Sequence, residues 1–423
     1  MREALRGLTA RGRGLLAAGA AAAVSAVVLG ESDLLRVAVL LAVLPVLSAA
    51  AVAGTRYRLS CHRSVEPDRV QAGGAARVLV RLQNLSRLPT GVLLLDDEVP
   101  YALGRRQRFV LGRLWPQQSA TVAYNVRADV RGRYQIGPLT VRLTDLFGLC
   151  EVDRSFANNS VLTVTPVVQP LPSVHIPGDW LGSGEARAGS LAVHGEDDAA
   201  TREYRHGDDL RKVHWRSTAR VGELMVRREE QPRQSRAVVL LDTRAAAHRG
   251  AGSAASLEWA VSAAASIALH LSQGGYVLRF LTDADADLGT RAPGDEGLLL
   301  DHLANVQPSR RAGLEVATDA LRRTGGGLLV AVLGLVDPDE VPRLAALRAS
   351  GTTCVAILLD TSTWTGLSPD GQERAAAAYE ASTHALARAG WHVLRAARGS
   401  DLAQLWTRAG EYGAGRQPAG VRR

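Results

Sequence analysis

The sequence predicts a chain of three unlike parts: an N-terminal transmembrane hairpin, an antiparallel β-sandwich and a doubly wound α/β domain. Three patterns predict it. Residues 15–30 and 34–54 are two almost wholly apolar runs, separated by Glu31 and Asp33. Short segments of alternating apolar and polar residues, punctuated by Gly, Pro, Asn and Asp, then fill 57–172. From residue 236, near-continuous apolar runs of strand length alternate with helical patterns, as in a parallel sheet with crossover helices. The expected boundaries are 1–56 for the hairpin, 57–172 for the sandwich, 173–201 for a linker, 202–410 for the α/β domain with the segment that precedes it, and 411–423 for a disordered tail.

A length of 423 residues suits two or three domains. Hydrophobic content of 46% with only 4% aromatic residues implies an interior of Ala, Leu and Val. Lys212 is the only lysine, so the net charge of +8 is carried by arginine. That balance suits an anionic lipid surface or an acidic partner. The arginines are scattered and accompany no nucleic-acid-binding motif, so no nucleic acid partner is expected. Cys61, Cys150 and Cys354 lie far apart without metal-ligand spacing, which fits a reducing compartment better than a disulfide framework.

The run 34–54 has about the ~20 residues a spanning helix needs, and 15–30 is shorter. Arg2, Arg6, Arg11 and Arg13 precede the first run, and Arg56, Arg58 and Arg63 follow the second. Positive flanks at both ends and acids in the turn orient both ends to the cytoplasm of a cell membrane. A cleaved export signal would leave the second run unexplained. In 57–172, strands are expected at 76–83, 92–95, 108–111, 120–126, 139–143 and 161–168, a spacing that suits a small immunoglobulin-like sandwich. Residues 173–200 lack periodicity, and His175 and His194 within them read as solvated.

The densest chemistry lies in 202–230, REYRHGDDLRKVHWRSTARVGELMVRREE. Asp208 or Asp209 reads as a helix start. Leu210, Val213, His214 and Ser217 then recur as one buried helical face, and Lys212, Arg216 and Arg220 as a cationic stripe. Val221–Gly222 ends the helix and Leu224, Met225 and Val226 form a short strand. Trp215 and the apolar face are expected to pin this helix to the α/β domain. Arg202, Tyr204, Asp208, Asp209, Arg211, Lys212, Trp215, Arg216 and Arg220 are the interaction candidates. The run 202–227 resembles the signature R-E-Y-x-x-G-D-x-x-R-x-x-x-W-x-x-[ST]-A-R-x-x-x-L-x-V-R of the bacterial family called domain of unknown function 58. Residues 131–138 and 145–149 are similar to two further landmarks of that family, read as turn-and-edge segments anchored by Tyr134 and Phe147. The resemblance implies a membrane protein, a MoxR-type AAA+ ATPase partner and a von Willebrand factor A-like C-terminal domain. It implies no biochemical activity.

In 236–408, strands are expected at 236–242, 276–281, 328–333, 354–359 and 391–394, and helices at 257–272, 294–305, 313–323, 339–349, 372–389 and 401–408. Von Willebrand factor A domains hold a metal with D-x-S-x-S after the first strand, helped by a Thr and an Asp from other loops. Here the run is Asp242, Thr243, Arg244, Ala245, Ala246. Arg244 and Ala246 stand in place of the serines, so the site reads as degenerate, with no metal and no cofactor expected. Thr282, Asp283 and Asp337 can supply oxygens without replacing the missing hydroxyls. The string Gly250-Ala-Gly252 stands too far from its strand for a dinucleotide site. His206, Asp208 and His214 are the one imaginable acid–base set. The expectation is a membrane-anchored cytoplasmic interaction protein working with the ATPase in assembly or maturation of other proteins, without catalysis of its own. The alternatives are a metal-dependent adhesion module and an enzyme using the signature residues.

Overall fold

In the computed structural model, helices α1 (Ala10–Leu29) and α2 (Ser32–Gly54) form an antiparallel pair joined at Gly30. Residues 7–54, 59–87, 89–144, 147–174, 176, 201–204, 213–227, 235–284, 290–291, 295–323, 327–350, 352–364 and 367–414 are described by the structure. Thr9 caps α1 by accepting from the Gly12 N–H at 3.2 Å. Gly30, at φ 69°, closes the helix in the left-handed region that its missing Cβ allows. Gly12, Gly19 and Ala26, seven residues apart, are its buried positions. A Cβ on Gly19 would stand 3.1 Å from the Ala38 carbonyl oxygen. Small residues therefore let the two helices pack closely, as in membrane helix pairs. Both are long and apolar enough to cross a membrane, with mean hydropathies of 1.7 and 2.0. Val27, Val28 and Leu40 are 78%, 78% and 66% exposed, so these are not the buried core helices of a soluble domain.

The chain divides into two units, Met1–Val167 with Leu300–Asn305, and Val168–Leu299 with Val306–Arg423. The first contains, besides the hairpin, strands β1 (Leu59–Glu66), β2 (Arg69–Gln71), β3 (Ala75–Asn84), β4 (Leu93–Asp97), β5 (Gln107–Leu111), β6 (Ser119–Arg127), β7 (Gly132–Ile136), β8 (Leu139–Thr144), β9 (Glu151–Phe156) and β10 (Ser160–Thr165). They form sheets of order β1-β3-β6, β2-β10-β7 and β5-β4-β8-β9. All their pairings are antiparallel except β2 with β10. Period-two rows (Val78, Val80 and Leu82; Leu93 and Leu95; Leu139, Val141 and Leu143) meet in one apolar core.

Two expectations fail here. Arg63 is not a juxtamembrane charge. Its side chain is 0% exposed and ion-paired to Asp97, whose other oxygen accepts from the Tyr124 hydroxyl at 2.6 Å. The guanidinium also donates to the Ile136 carbonyl at 3.0 Å. A charged residue at an inward position breaks the apolar alternation of β1. Burial pushes the Asp97 carboxyl up, against the opposing pull of Tyr124 and Arg63. Gly137, at φ 109°, lies directly under the Arg63 guanidinium, where a Cβ would collide with it. The second failure is Phe147, which is 61% exposed; Leu149 and Cys150, 3% and 0% exposed, are the buried members of that loop. Tyr134 does anchor its turn, donating from its hydroxyl to the Val130 carbonyl at 2.8 Å.

The second unit opens with β11 (Thr201–Glu203), α3 (Trp215–Val221) and β12 (Met225–Arg227). Next come β13 (Arg236–Leu241), α4 (Ser256–Gln273), β14 (Val277–Thr282), β15 (Thr290–Arg291) and α5 (Glu296–Asn305), of which Leu300–Asn305 belong to the first unit. Helix α6 (Glu315–Arg322), β16 (Gly327–Leu333), α7 (Val341–Ala346), β17 (Thr352–Leu359), α8 (Pro369–Arg388), β18 (His392–Ala396) and α9 (Leu402–Ala414) complete it. The sheet order is β15-β14-β13-β16-β17-β18, parallel throughout except for the β15 edge. In β13, β16 and β17 nearly every residue is buried, the mark of strands covered on both faces. Val238 and Leu240 pack with Ala317, Leu344 and Leu386 of α6, α7 and α8. The α/β reading thus holds element by element, with β15 unforeseen. Helix α9 continues to Ala414, four residues into the expected tail; 415–423 lie outside the described residues.

Candidate functional site

Signature residues Asp208, Asp209, Arg211 and Lys212, with Leu210 and His206, lie outside the described residues, as do His175 and His194. The rest form a small motif. Strand β11 pairs antiparallel with β12, Arg202 opposite Val226, and the side chain of Arg202 lies outside what is described. Tyr204 N–H donates to the Leu224 carbonyl at 2.8 Å and His214 N–H to the Met225 carbonyl at 2.7 Å. Val213 bridges to Val226, and the two are 7% and 4% exposed.

Val213 and His214 therefore precede helix α3 instead of sharing a helical face with Ser217. His214 is the cap: its Nδ1 accepts from the Ser217 N–H at 3.3 Å and lies 2.8 Å from the Ser217 hydroxyl. Gly222, at φ 84°, ends the helix after seven residues. The Thr218 hydroxyl accepts from the Met225 N–H at 3.0 Å and ties helix to strand. No residue of α3 is buried. Trp215 is 70% exposed, so it does not pin the helix to the domain. Arg216 and Arg220 are exposed on one face, as the spacing predicts. Val221 and Leu224, 57% and 40% exposed, extend the surface.

A second cluster stands at the C-terminal end of β13, between β14 and β16, where open α/β sheets commonly bind ligands. The Arg244 guanidinium fills it. Nε and Nη2 donate to the two oxygens of Asp242, each at 2.9 Å. Nη1 donates to Glu340 at 2.7 and 2.8 Å, and Nη2 also reaches the Leu335 carbonyl at 3.2 Å. Asp242, Arg244 and Glu340 are 0%, 4% and 8% exposed. Burial opposes the arginine's charge, but the Asp242 bonds and both carboxylates outweigh it and raise its pKa.

Thr243 donates from N–H at 2.5 Å and from its hydroxyl at 2.6 Å to buried Asp283, which also accepts from the Ser309 hydroxyl. His248 Nε2 faces the Asp242 carbonyl oxygen at 2.8 Å and so carries the proton; Nδ1 accepts from the Ser256 hydroxyl at 3.0 Å. Burial holds this imidazole below its ordinary pKa, against the pull of Asp242. Ala246 lies in the short turn Ala245–Ala247 and adds no ligand oxygen. Asp337 is exposed.

Arg244 thus does more than repel a cation: it takes both oxygens of Asp242 and grips a second acid, Glu340. Among the described residues no group of three or more His, Cys, Asp or Glu is placed to hold a metal ion. Sequence reading found Asp242, Thr243, Arg244 and Asp283. It missed Glu340, which is 96 positions from Arg244 and carries no motif.

Residues 200–389 match the family described as Protein of unknown function DUF58. The uncharacterized YeaD protein of Bacillus subtilis is 25% identical over 186 residues, 43% of this chain and 46% of its own length. The chain therefore matches about half of that relative. Among solved structures, the CARDB domain of a Pyrococcus furiosus protein shares 20% identity over 26% of this chain and 93% of that chain, at a TM-score of 0.20. The ApaA protein of Bordetella pertussis shares 13% over 26% and 94%, also at 0.20.

Proposed function

The chain belongs, through residues 200–389, to the DUF58 family, and from that premise we propose that it is a membrane-anchored interaction protein whose signature helix α3 is a docking surface. The observation that carries this reading is Trp215, 70% exposed beside Arg216 and Arg220. Tryptophan and arginine are the residue types that most often anchor interfaces. The anchor is the α1–α2 hairpin, crossing the cell membrane twice with the bulk of the chain on the cytoplasmic side. Arg11 and Arg13, exposed at the start of α1, support that orientation. The partner that the family resemblance suggests is a MoxR-type AAA+ ATPase, in assembly or maturation of other proteins.

The C-terminal unit is read as von Willebrand factor A-like. Asp242 at the end of the first parallel strand and Asp283 after the second support this, with Arg244 in place of a bound cation. A metal-dependent adhesion role loses support from the same arginine. Catalysis by the signature loses support from His214, which serves as a helix cap.

The test is co-purification of the full-length protein with the ATPase. Trp215→Ala, and separately Arg216→Ala with Arg220→Ala, should each weaken recovery at least tenfold while leaving melting nearly unchanged. The arginine effect should shrink as salt rises, because exposed charges are screened. Unchanged recovery in both variants would refute the docking role. Reporter fusions after residue 63 and at the C-terminus should both read cytoplasmic.

A further inference from the structure

We propose that the loop 147–151 rests on the bilayer surface, with the Phe147 ring entering the headgroup region beside Arg11 and Arg13. The inference rests on reading α1 and α2 as membrane-spanning helices. Its first support is proximity enforced by backbone hydrogen bonds. Thr9 N–H donates to the Leu149 carbonyl at 3.0 Å and Glu151 N–H to the Gly7 carbonyl at 2.7 Å. The Thr9 hydroxyl donates to the Gly148 carbonyl at 2.7 Å, and Leu8 bridges to Cys150. Gly12 lies so close to the Leu149 carbonyl that a Cβ there would collide with it. The loop is therefore strapped to the first turn of α1. At the same end of the hairpin, Ala49 near the close of α2 packs on Cys150, so both helices meet the loop.

The second support is length. Twenty residues at about 1.5 Å each make α1 about 30 Å long, the thickness of a bilayer's hydrocarbon core. A helix that only just spans must hold its first turn at the interface. Whatever is bonded to that turn lies at the same depth.

The third support is chemistry. Phe147 is 61% exposed in a chain with four phenylalanines. Arg11 and Arg13 are exposed, and a Cβ on Gly148 would stand 3.9 Å from Arg11 Nη1. An exposed apolar ring on a loop strapped to a helix turn that carries exposed arginines fits the boundary between acyl chains and anionic headgroups, where a ring is covered and such charges meet phosphate. The β-rich unit is then seated against the lipid by its own loop as well as by the hairpin.

The test uses the full chain in vesicles of phosphatidylcholine and phosphatidylglycerol. A fluorophore is attached to Phe147→Cys or, separately, to Val24→Cys, each carrying Cys61→Ser and Cys354→Ser; Cys150 is 0% exposed. Quenching is read with nitroxide lipids labelled at the headgroup or deep in the acyl chain, and with aqueous iodide. The Val24 probe should be quenched by the deep nitroxide. The Phe147 probe should be quenched by the headgroup nitroxide several-fold more than by the deep one. If iodide alone reaches the Phe147 probe while the Val24 probe remains in lipid, the loop proposal is overturned and the spanning hairpin stands. If lipid nitroxides reach neither probe, both readings fall.

Discussion

Arg244→Met is the sharpest perturbation of the α/β unit. Methionine keeps much of the length and volume of arginine but removes its side-chain donors. Asp242 and Glu340, 0% and 8% exposed, are then left buried without their counter-ion. Breaking a buried pair by deleting one partner costs about 3–5 kcal/mol. Two acids lose the same partner here, yet the loss does not double, because backbone donors remain. Asp242 still accepts from the Arg244 and Gly334 N–H groups, at 3.0 and 3.2 Å. Glu340 still accepts from Leu314 and Asp337, at 3.1 and 3.2 Å. The expected loss is therefore about 3–5 kcal/mol. Trp364, Trp391 and Trp406 are 5%, 3% and 1% exposed in this unit, so denaturant unfolding followed by tryptophan fluorescence reports its transition. Adding Asp242→Asn and Glu340→Gln to Arg244→Met removes the stranded charges and should recover most of the loss. A loss under about 1 kcal/mol in the single variant, or a triple variant no more stable than the single, would refute the view that Arg244 balances the two acids.

Titration of the parent protein with Mg²⁺ should give no saturable heat, because Arg244 already holds both oxygens of Asp242; a stoichiometric micromolar site, worth about 8 kcal/mol, that vanishes in Asp242→Ala would overturn this. Gly137→Ala should destabilise the β-rich unit by roughly 1–3 kcal/mol, since it adds a Cβ at φ 109° against the Arg63 guanidinium; an unchanged melt would contradict the packing. His248 is held below its ordinary value of 6.5 by burial. The unfolded chain then binds the extra proton first as pH falls, so this contribution is complete above about 6.5 and is lost on acidification through the lower folded value. His248→Gln should flatten the acid-side decline of stability, and a slope identical to the parent's would show that another group sets it.

The parallel strands were legible because burial on both faces leaves an unbroken apolar run, as in Val238 to Leu241. Strand β3 was legible through its alternation, and the hairpin through two long apolar stretches. Strand β9 was not, since its exposed, charged residues carry no inward row. Nor was β1, where the inward position belongs to Arg63. In both, polarity at a single position depends on a neighbour that the local sequence does not contain.

The candidate sites divide the same way. By itself the sequence determined that Asp242 ends a strand, that serines are missing beyond it, and that Arg216 and Arg220 share a face. Those follow from local chemistry and the period of a helix. Only the tertiary structure decided that Arg244 grips Glu340 across 96 positions, and that Asp283 meets Thr243 across 40. It also decided that Trp215 is exposed. The signature's period suggested a helix from Asp208 or Asp209, but His214 caps a helix that begins only at Trp215 and is too short to carry a buried face. Whether a tryptophan is core or surface depends on where its helix starts and what stands opposite, and both are set by chain closure over long sequence separations.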